Sequence, residues 1–491
     1  MGQPSGWTGK TAAALQAALR MSQERFAEHL GIAPRTVATW HQKPDTRPKS
    51  EMQQLLDTAL SQAAPDARAR YHALTTAPAA PPAPEISQRL TTDRHITAAL
   101  DWLDRHAQWT PGTARARVAD RVTHLSVAEI RDRGLRRSRI TQRDIAAALT
   151  TYYGPTGIYA GTSILTAPDW LDLRAPLTGN PVTITPAPAT PLTLTEPAAD
   201  AAVTRIAETL ALGTRITNNP LYRLTAITPP TLAATYTQAN FIDYALTLDL
   251  LEAELVDALA DNRSTLPLRD TYLPTTAAVL DLPNRLCAGG VLALTAIARE
   301  DDYLLLVQER SGHVINAARR LAPIPKGFHQ PLSDLRADAQ IGATLFREME
   351  EELFGREDID GTLGDIRSAD PMHPSRLSEP LRWLLAEPGR LTLESTGFGL
   401  NLVSGNYEFP CLITINDPQF WAEHGGTIEA NWESTTLRRY STRDPQLITE
   451  LLADDAWSNE GLFATLQAIR RLTETGGHRV DLPRIEWEIS K

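Results

Sequence analysis

Apolar and polar positions alternate with a helical period at the amino end of the chain. Lys10 to Arg20 reads as a first helix, and Ser22 stands as an N-cap before QERFAEHL. Gly31 follows Leu30 where a helix must close through a left-handed residue, and Ala33-Pro34 reopens a helix with proline in its first turn. Phe26, Ala27, Leu30, Ile32, Val37 and Trp40 supply apolar groups at spacings that let two short helices cross closely. Further on, ITAALDWLDRHAQW and SRITQRDIAAALTTYYG carry helical patterns, and helical patterns run again through Asp200 to Leu259. From about Leu286 the period shortens to that of strands, in GGVLALTAIARE and YLLLVQERS, before a strong helix begins near Asp338.

Two stretches interrupt the periodic segments. Thr75 to Glu85, TTAPAAPPAPE, has the composition of a semi-rigid linker. Asn180 to Pro197 is rich in Pro and Thr and reads as an extended connector or as edge strands. The organisation expected is therefore residues 1–74, a linker at 75–85, a mostly helical middle region at 86–280, a mixed region at 284–475 and a tail at 476–491.

Composition narrows the class. A chain of 491 residues with 42% hydrophobic and 22% charged residues has enough apolar surface for two or three folded domains. Cys287 and Cys411 are its only cysteines, so a disulfide framework is not expected and a reducing cytoplasm fits. The first residues lack a continuous apolar stretch and no run approaches the length of a membrane span, so neither secretion nor insertion is expected. The net charge of −11 is unevenly placed: residues 1–60 hold seven Lys or Arg against five Asp or Glu, and residues 112–143 hold nine Arg against three acids. The arginines from Arg131 to Arg143 fit a solvated helix face or a second phosphate-contacting surface, and the solvated face is favoured because no aromatic residue alternates with them.

The most chemical segment is DAQIGATLFREMEEELFG, from Asp338 to Gly355. At roughly 100° per residue, Ile341, Leu345, Met349 and Leu353 form one apolar stripe, and Glu350 projects to the opposite, solvated side. Glu352 projects inside the stripe, Glu348 at its edge and Glu351 just beyond. A buried carboxylate is costly without a partner, so these acids call for a cation or for a basic group such as Arg347. Oxygen ligands at such spacings suit magnesium or manganese.

SQERFAEHLGIAPRTVATWHQKPDTRPKS resembles the Cro and xenobiotic-response-element family of DNA-binding domains over roughly residues 10–62. The resemblance implies a helix-turn-helix in which Arg35, Thr36 and Thr39 face base edges, while Gln23, Arg25, Lys43 and Lys49 meet phosphates. It also implies a two-fold homodimer on a double-stranded DNA operator. REMEEELFG, with IPKGF before it, resembles the Nudix box. That resemblance implies an α/β/α sandwich over about Leu286 to Thr475, with SGNYEFPCLITI as a strand and QLITELLADDAW and GLFATLQAIRRL as helices. It further implies metal-binding carboxylates at Glu348, Glu351 and Glu352, with Glu351 and Glu352 catalytic if the site is active. Lys326, Gly327 and Arg347 would then contact a ligand. The segment departs from the family in a loop about six residues longer, with no Glu in the expected place after Gly327, where Asp334 or Asp338 are the substitutes on offer, and in Phe354 where glycine is usual. The fold expected is thus multidomain α+β, with an all-α amino-terminal part, a helical or mixed middle and a sandwich at the carboxyl end. The function expected is a cytoplasmic DNA-binding regulator that senses a phosphorylated nucleotide-type ligand, the alternative being a metal-dependent hydrolase of nucleoside diphosphate derivatives.

Overall fold

The computed structural model describes residues 7–44, 46–64, 67–68, 70–71, 75, 83–186, 193–310, 320–356, 370–425, 428, 434–486 and 489. The chain divides into two compact units, Met1–Pro81 and Pro82–Lys491.

The first unit contains α1 (Gly9–Ala18), α2 (Gln23–Leu30), α3 (Pro34–Gln42) and α4 (Ser50–Gln62). Local chemistry sets these boundaries. Ser22 Oγ accepts the Arg25 amide at 3.2 Å and so satisfies a donor that the first turn of α2 leaves open. Gly31 closes α2 with φ of 67°, a conformation that side chains disfavour. Pro34 then opens α3 where no amide hydrogen is needed. Leu15, Phe26, Ala27, Leu30, Val37 and Trp40 are buried together with Leu56 of α4, and Ile32 is partly buried against them. A Cβ at Gly9 would lie 2.6 Å from the Lys43 carbonyl oxygen, so the start of α1 can rest directly on the end of α3.

The second unit begins with α5 (Ala83–Thr92), α6 (Arg94–His106), α7 (Thr113–His124), α8 (Val127–Arg137) and α9 (Gln142–Tyr153). There follow β1 (Ile164–Leu165), β2 (Leu171–Pro176), β3 (Val182–Ile184), α10 (Glu196–Ala211), β4 (Pro220–Thr228), β5 (Ala233–Asn240) and α11 (Leu250–Ala260). Next come β6 (Gly289–Ala298), β7 (Tyr303–Arg310), β8 (Leu321–Pro323), β9 (Lys326–Phe328) and α12 (Ile341–Glu348). The last elements are α13 (Glu379–Ala386), β10 (Leu391–Gly397), β11 (Gly399–Asn401), β12 (Tyr407–Ile415), β13 (Ser434–Ser441), α14 (Pro445–Leu452) and α15 (Asn459–Thr475).

A ten-stranded sheet organises this unit, with the path β1-β11-β12-β6-β7-β13 and with β2, β8, β9 and β10 paired along it. β6 and β12 run parallel at its centre and are buried along their whole length, which is why both read as largely apolar runs, with Glu408 the one acid in them. The sheet lies between helices. Gly327 of β9 turns toward Glu348 of α12, while the neighbouring Lys326 turns toward Glu460 of α15, so the two helices flank opposite faces.

Several expectations are corrected. Segments 86–280 and 284–475 are not separate bodies: β1 and β2 pair with β11 and β10, and one core runs from Leu90 to Ile428. The helical reading of Asp200–Leu259 fails over β4 and β5, an antiparallel pair whose Tyr and Thr residues favour a pleated surface. Within the Pro/Thr-rich stretch, β3 is an edge strand parallel to β5, and residues 187–192 lie outside the described residues. Of the linker, residues 76–82 lie outside the described residues, and its last three residues already belong to α5.

Candidate functional site

On α3, Arg35 and Thr39 are exposed and Thr36 is half-buried. Thr39 Oγ1 donates to the Arg35 carbonyl at 2.8 Å, which fixes its rotamer and leaves the oxygen outward as an acceptor. Arg25, Lys43 and Lys49 are exposed, and Gln23 is half-buried at the start of α2. One contact that the sequence did not reveal holds the back of α3. His41 Nε2 lies 2.6 Å from Gln16 Oε1, and the Gln16 amide nitrogen donates to the Met21 carbonyl. The amide oxygen can only accept, so the imidazole donates through Nε2; burial lowers the His41 pKa and favours this neutral form.

The glutamate helix is built differently from its helical-wheel projection. α12 runs into a π turn at Met349–Leu353, which inserts extra backbone per turn and rotates the later side chains. Glu350, expected on the solvated side, is fully buried. It accepts from Arg356 at 2.7 Å, from Ser378 Oγ at 2.6 Å and from the Ser378 amide at 3.0 Å, which together replace its lost hydration.

Glu348 and Glu352 are buried and Glu351 is half-buried. Arg347 is 2% exposed and donates to Glu348 Oε1 at 2.6 Å, to the Phe328 carbonyl at 2.9 Å and to the Gln330 carbonyl at 3.3 Å. It thereby ties α12 to the chain leaving β9. Glu352 Oε2 accepts the Lys326 amide at 2.8 Å. A Cβ at Gly327 would stand 2.0 Å from Glu348 Oε1, so only glycine permits this approach of strand to carboxylate. Among the described residues, no group of three or more His, Cys, Asp or Glu is placed to hold a metal ion. Protein donors orient Glu348 and Glu352 as they stand. Asp334 and Asp338, the substitutes for a loop glutamate, serve the loop itself: Asp338 Oδ2 accepts the amides of Leu332, Ser333 and Asp334, and Asp334 Oδ1 those of Arg336 and Ala337.

The opposite face of the sheet carries a second polar cluster. Lys326 Nζ donates to Glu460 Oε1 at 2.7 Å, and Asn401 Nδ2 lies 3.4 Å from Glu460 Oε2. Burial opposes ionisation of Glu460, but the Lys326 ammonium and further hydrogen bonds outweigh it and hold the pKa below its ordinary value. Glu408 of β12, 5% exposed, is pushed up to about 8 by burial and by the neighbouring Glu460 charge, with Lys326 opposing. Its signal in the sequence is a lone acid in the apolar run YEFPCLITI. His329, by contrast, stands on the Arg347 side of the sheet as a neutral ring: burial, with the Arg347 charge, lowers its pKa to about 3, and Nδ1 lies 3.0 Å from Tyr407 Oη.

The arginine-rich segment is partly consumed within the unit. Arg137 makes a bidentate pair with Asp257 at 2.5 and 2.6 Å, and Arg133 pairs with Glu208, whereas Arg136 and Arg139 are exposed. No family model matches this chain, and no curated protein matches it.

Proposed function

We propose that this chain is a sequence-specific DNA-binding regulator. The observation that carries the reading is the pair α2 and α3, joined across Gly31, with Arg35 and Thr39 exposed near the start of the second helix. A helix presented in that way fits the major groove, where Arg35 meets a guanine edge while Arg25, Lys43 and Lys49 meet phosphates. The chain acts as a cytoplasmic homodimer on repeated half-sites, and the region that resembles the Nudix family senses a nucleotide-type ligand through Arg347 and the adjoining carboxylates, whereas the Lys326 side chain turns to the other face of the sheet and pairs with Glu460. The sensor reading is preferred to the hydrolase because the segment departs from the family's pattern in its longer loop, which has no Glu in the expected place after Gly327, and in Phe354 where glycine is usual.

Selection of the full chain against random double-stranded DNA tests the proposal. The expected result is an enriched site with half-sites about 10 base pairs apart, or a multiple of that spacing. Arg35→Ala should weaken binding to that site by about 1–3 kcal/mol and relax one base position. A selected pool indistinguishable from the input would overturn the DNA reading. Titration of the selected complex with a nucleotide and nucleotide-sugar panel, with and without magnesium or manganese, tests the sensor. A ligand that shifts affinity about tenfold supplies about 1.4 kcal/mol of coupling.

A further inference from the structure

Charge, more than apolar burial, attaches α8 to its unit. None of its residues is buried. Leu125 and Ile140, just beyond its two ends, pack against the core, whereas Val127, Ala128, Ile130 and Leu135 within it do not, and Leu135 is 56% exposed. The half-buried stripe of the helix is Val127, Ile130, Arg133 and Arg137, so its later half turns arginines to the protein where a docked helix usually carries apolar side chains. Arg133 pairs with Glu208 of α10, and Arg137 pairs with Asp257 of α11. Burial opposes the Arg137 charge, but Asp257, Glu208 and Glu252 outweigh it and raise the pKa, so three carboxylates act on this one guanidinium. Gly134 stands between the two arginines, with no atom within 4 Å of the place a Cβ would take, and lowers the helix's own stability. The adjacent α7 is built otherwise: Arg117 and Arg121 also pair with α10, but Ala114 and Val118 are fully buried beneath them.

We propose that α8 is an electrostatically latched strap, held shut over the carboxylates of α10 and α11 by its arginines and opening as a unit between Leu125 and Ile140. Elements with few buried apolar contacts lie at the low end of a protein's range of local stability. Ion pairs between partly exposed groups are screened by salt, and apolar burial is not. Opening carries Arg133 and Arg137 away and leaves Glu208, Asp257 and Glu252 as an uncovered acidic surface. This inference does not depend on the DNA or nucleotide reading.

Amide hydrogen exchange of the full chain, followed by mass spectrometry at 0.1 and 1 M sodium chloride, tests the strap. Peptides within α8 should exchange about three- to tenfold faster at the higher salt, measured as a ratio to peptides of the well-buried α10. Peptides of α7 and α9 should keep their ratio to α10. The double variant Glu208→Gln and Asp257→Asn keeps the side-chain shapes and removes the charges, so its α8 should exchange fast already at 0.1 M and respond little to salt. The inference is overturned if the α8 ratio is the same at both salt concentrations, or if α7 and α9 speed up as much as α8 does. It is equally overturned if the folded double variant keeps the parent's protection of α8 at 0.1 M. Should the double variant fail to fold, the salt ratio of the unaltered chain decides alone.

Discussion

Glu408→Gln tests the electrostatics of the second cluster directly. In the folded chain the Glu408 carboxyl titrates at about 8, against an ordinary value of 4.5, because it is buried beside Glu460. Below pH 4.5 the group is protonated in both folded and unfolded chains and has no effect on their balance. Between 4.5 and 8 the unfolded chain releases the proton and the folded chain keeps it, so stability falls as pH rises, by about 1.4 kcal/mol per unit. Above 8 the full penalty is present, on the order of 5 kcal/mol for a shift of that size. Glutamine has the same shape and no charge to desolvate. Urea unfolding followed by tryptophan fluorescence, from pH 5 to 8, should therefore show the variant gaining on the parent by on the order of 4 kcal/mol across the range. Lys326 opposes the shift, so in a Lys326→Met background the loss should keep the same slope and extend to higher pH. A difference between Glu408→Gln and parent that is flat with pH would refute the buried, proton-retaining carboxyl.

Two further outcomes follow from the packing. Gly327→Ala places a Cβ 2.0 Å from Glu348 Oε1 and should destabilise the second unit by about 1–3 kcal/mol, whereas Gly134→Ala in α8, where no atom lies within 4 Å of the added carbon, should stabilise by about 0.5–1 kcal/mol; urea midpoints compare the two. Arg137→Ala removes both bonds to a partly buried Asp257 and should cost roughly 1.5–3 kcal/mol, while the double change Arg136→Ala and Arg139→Ala leaves stability nearly unaltered and flattens the salt dependence of DNA binding only if those side chains meet phosphates.

Features fixed by near neighbours in sequence were legible before the structure. Ser22, Gly31 and Pro34 each act on backbone groups within one turn, and each stands where its chemistry requires. The apolar runs of β6 and β12 were legible for a related reason: strands covered on both faces need no polar alternation. Arg347 as the partner of a neighbouring carboxylate could likewise be expected from adjacency alone, and it does bind Glu348.

What escaped was set by partners far along the chain or by a departure from regular helix geometry. A constant 100° per residue sends Glu350 to solvent, but the π turn breaks that constant, and the groups that satisfy its carboxylate, Arg356 and Ser378, lie beyond the helix. The pairing of Lys326 with Glu460 spans 134 residues, and no periodicity in either segment encodes it. The same holds for the supposed boundary near residue 281. β1 and β2 look like minor segments of a helical region until their partners, β11 and β10, are known, and those partners lie more than 200 residues later. The carboxylates of α12 therefore cannot be assigned from their spacing alone. Glu350 belongs to a structural anchor, Glu348 to the Arg347 clamp and Glu352 to the β9 backbone, a division of partners that the run of acids does not reveal.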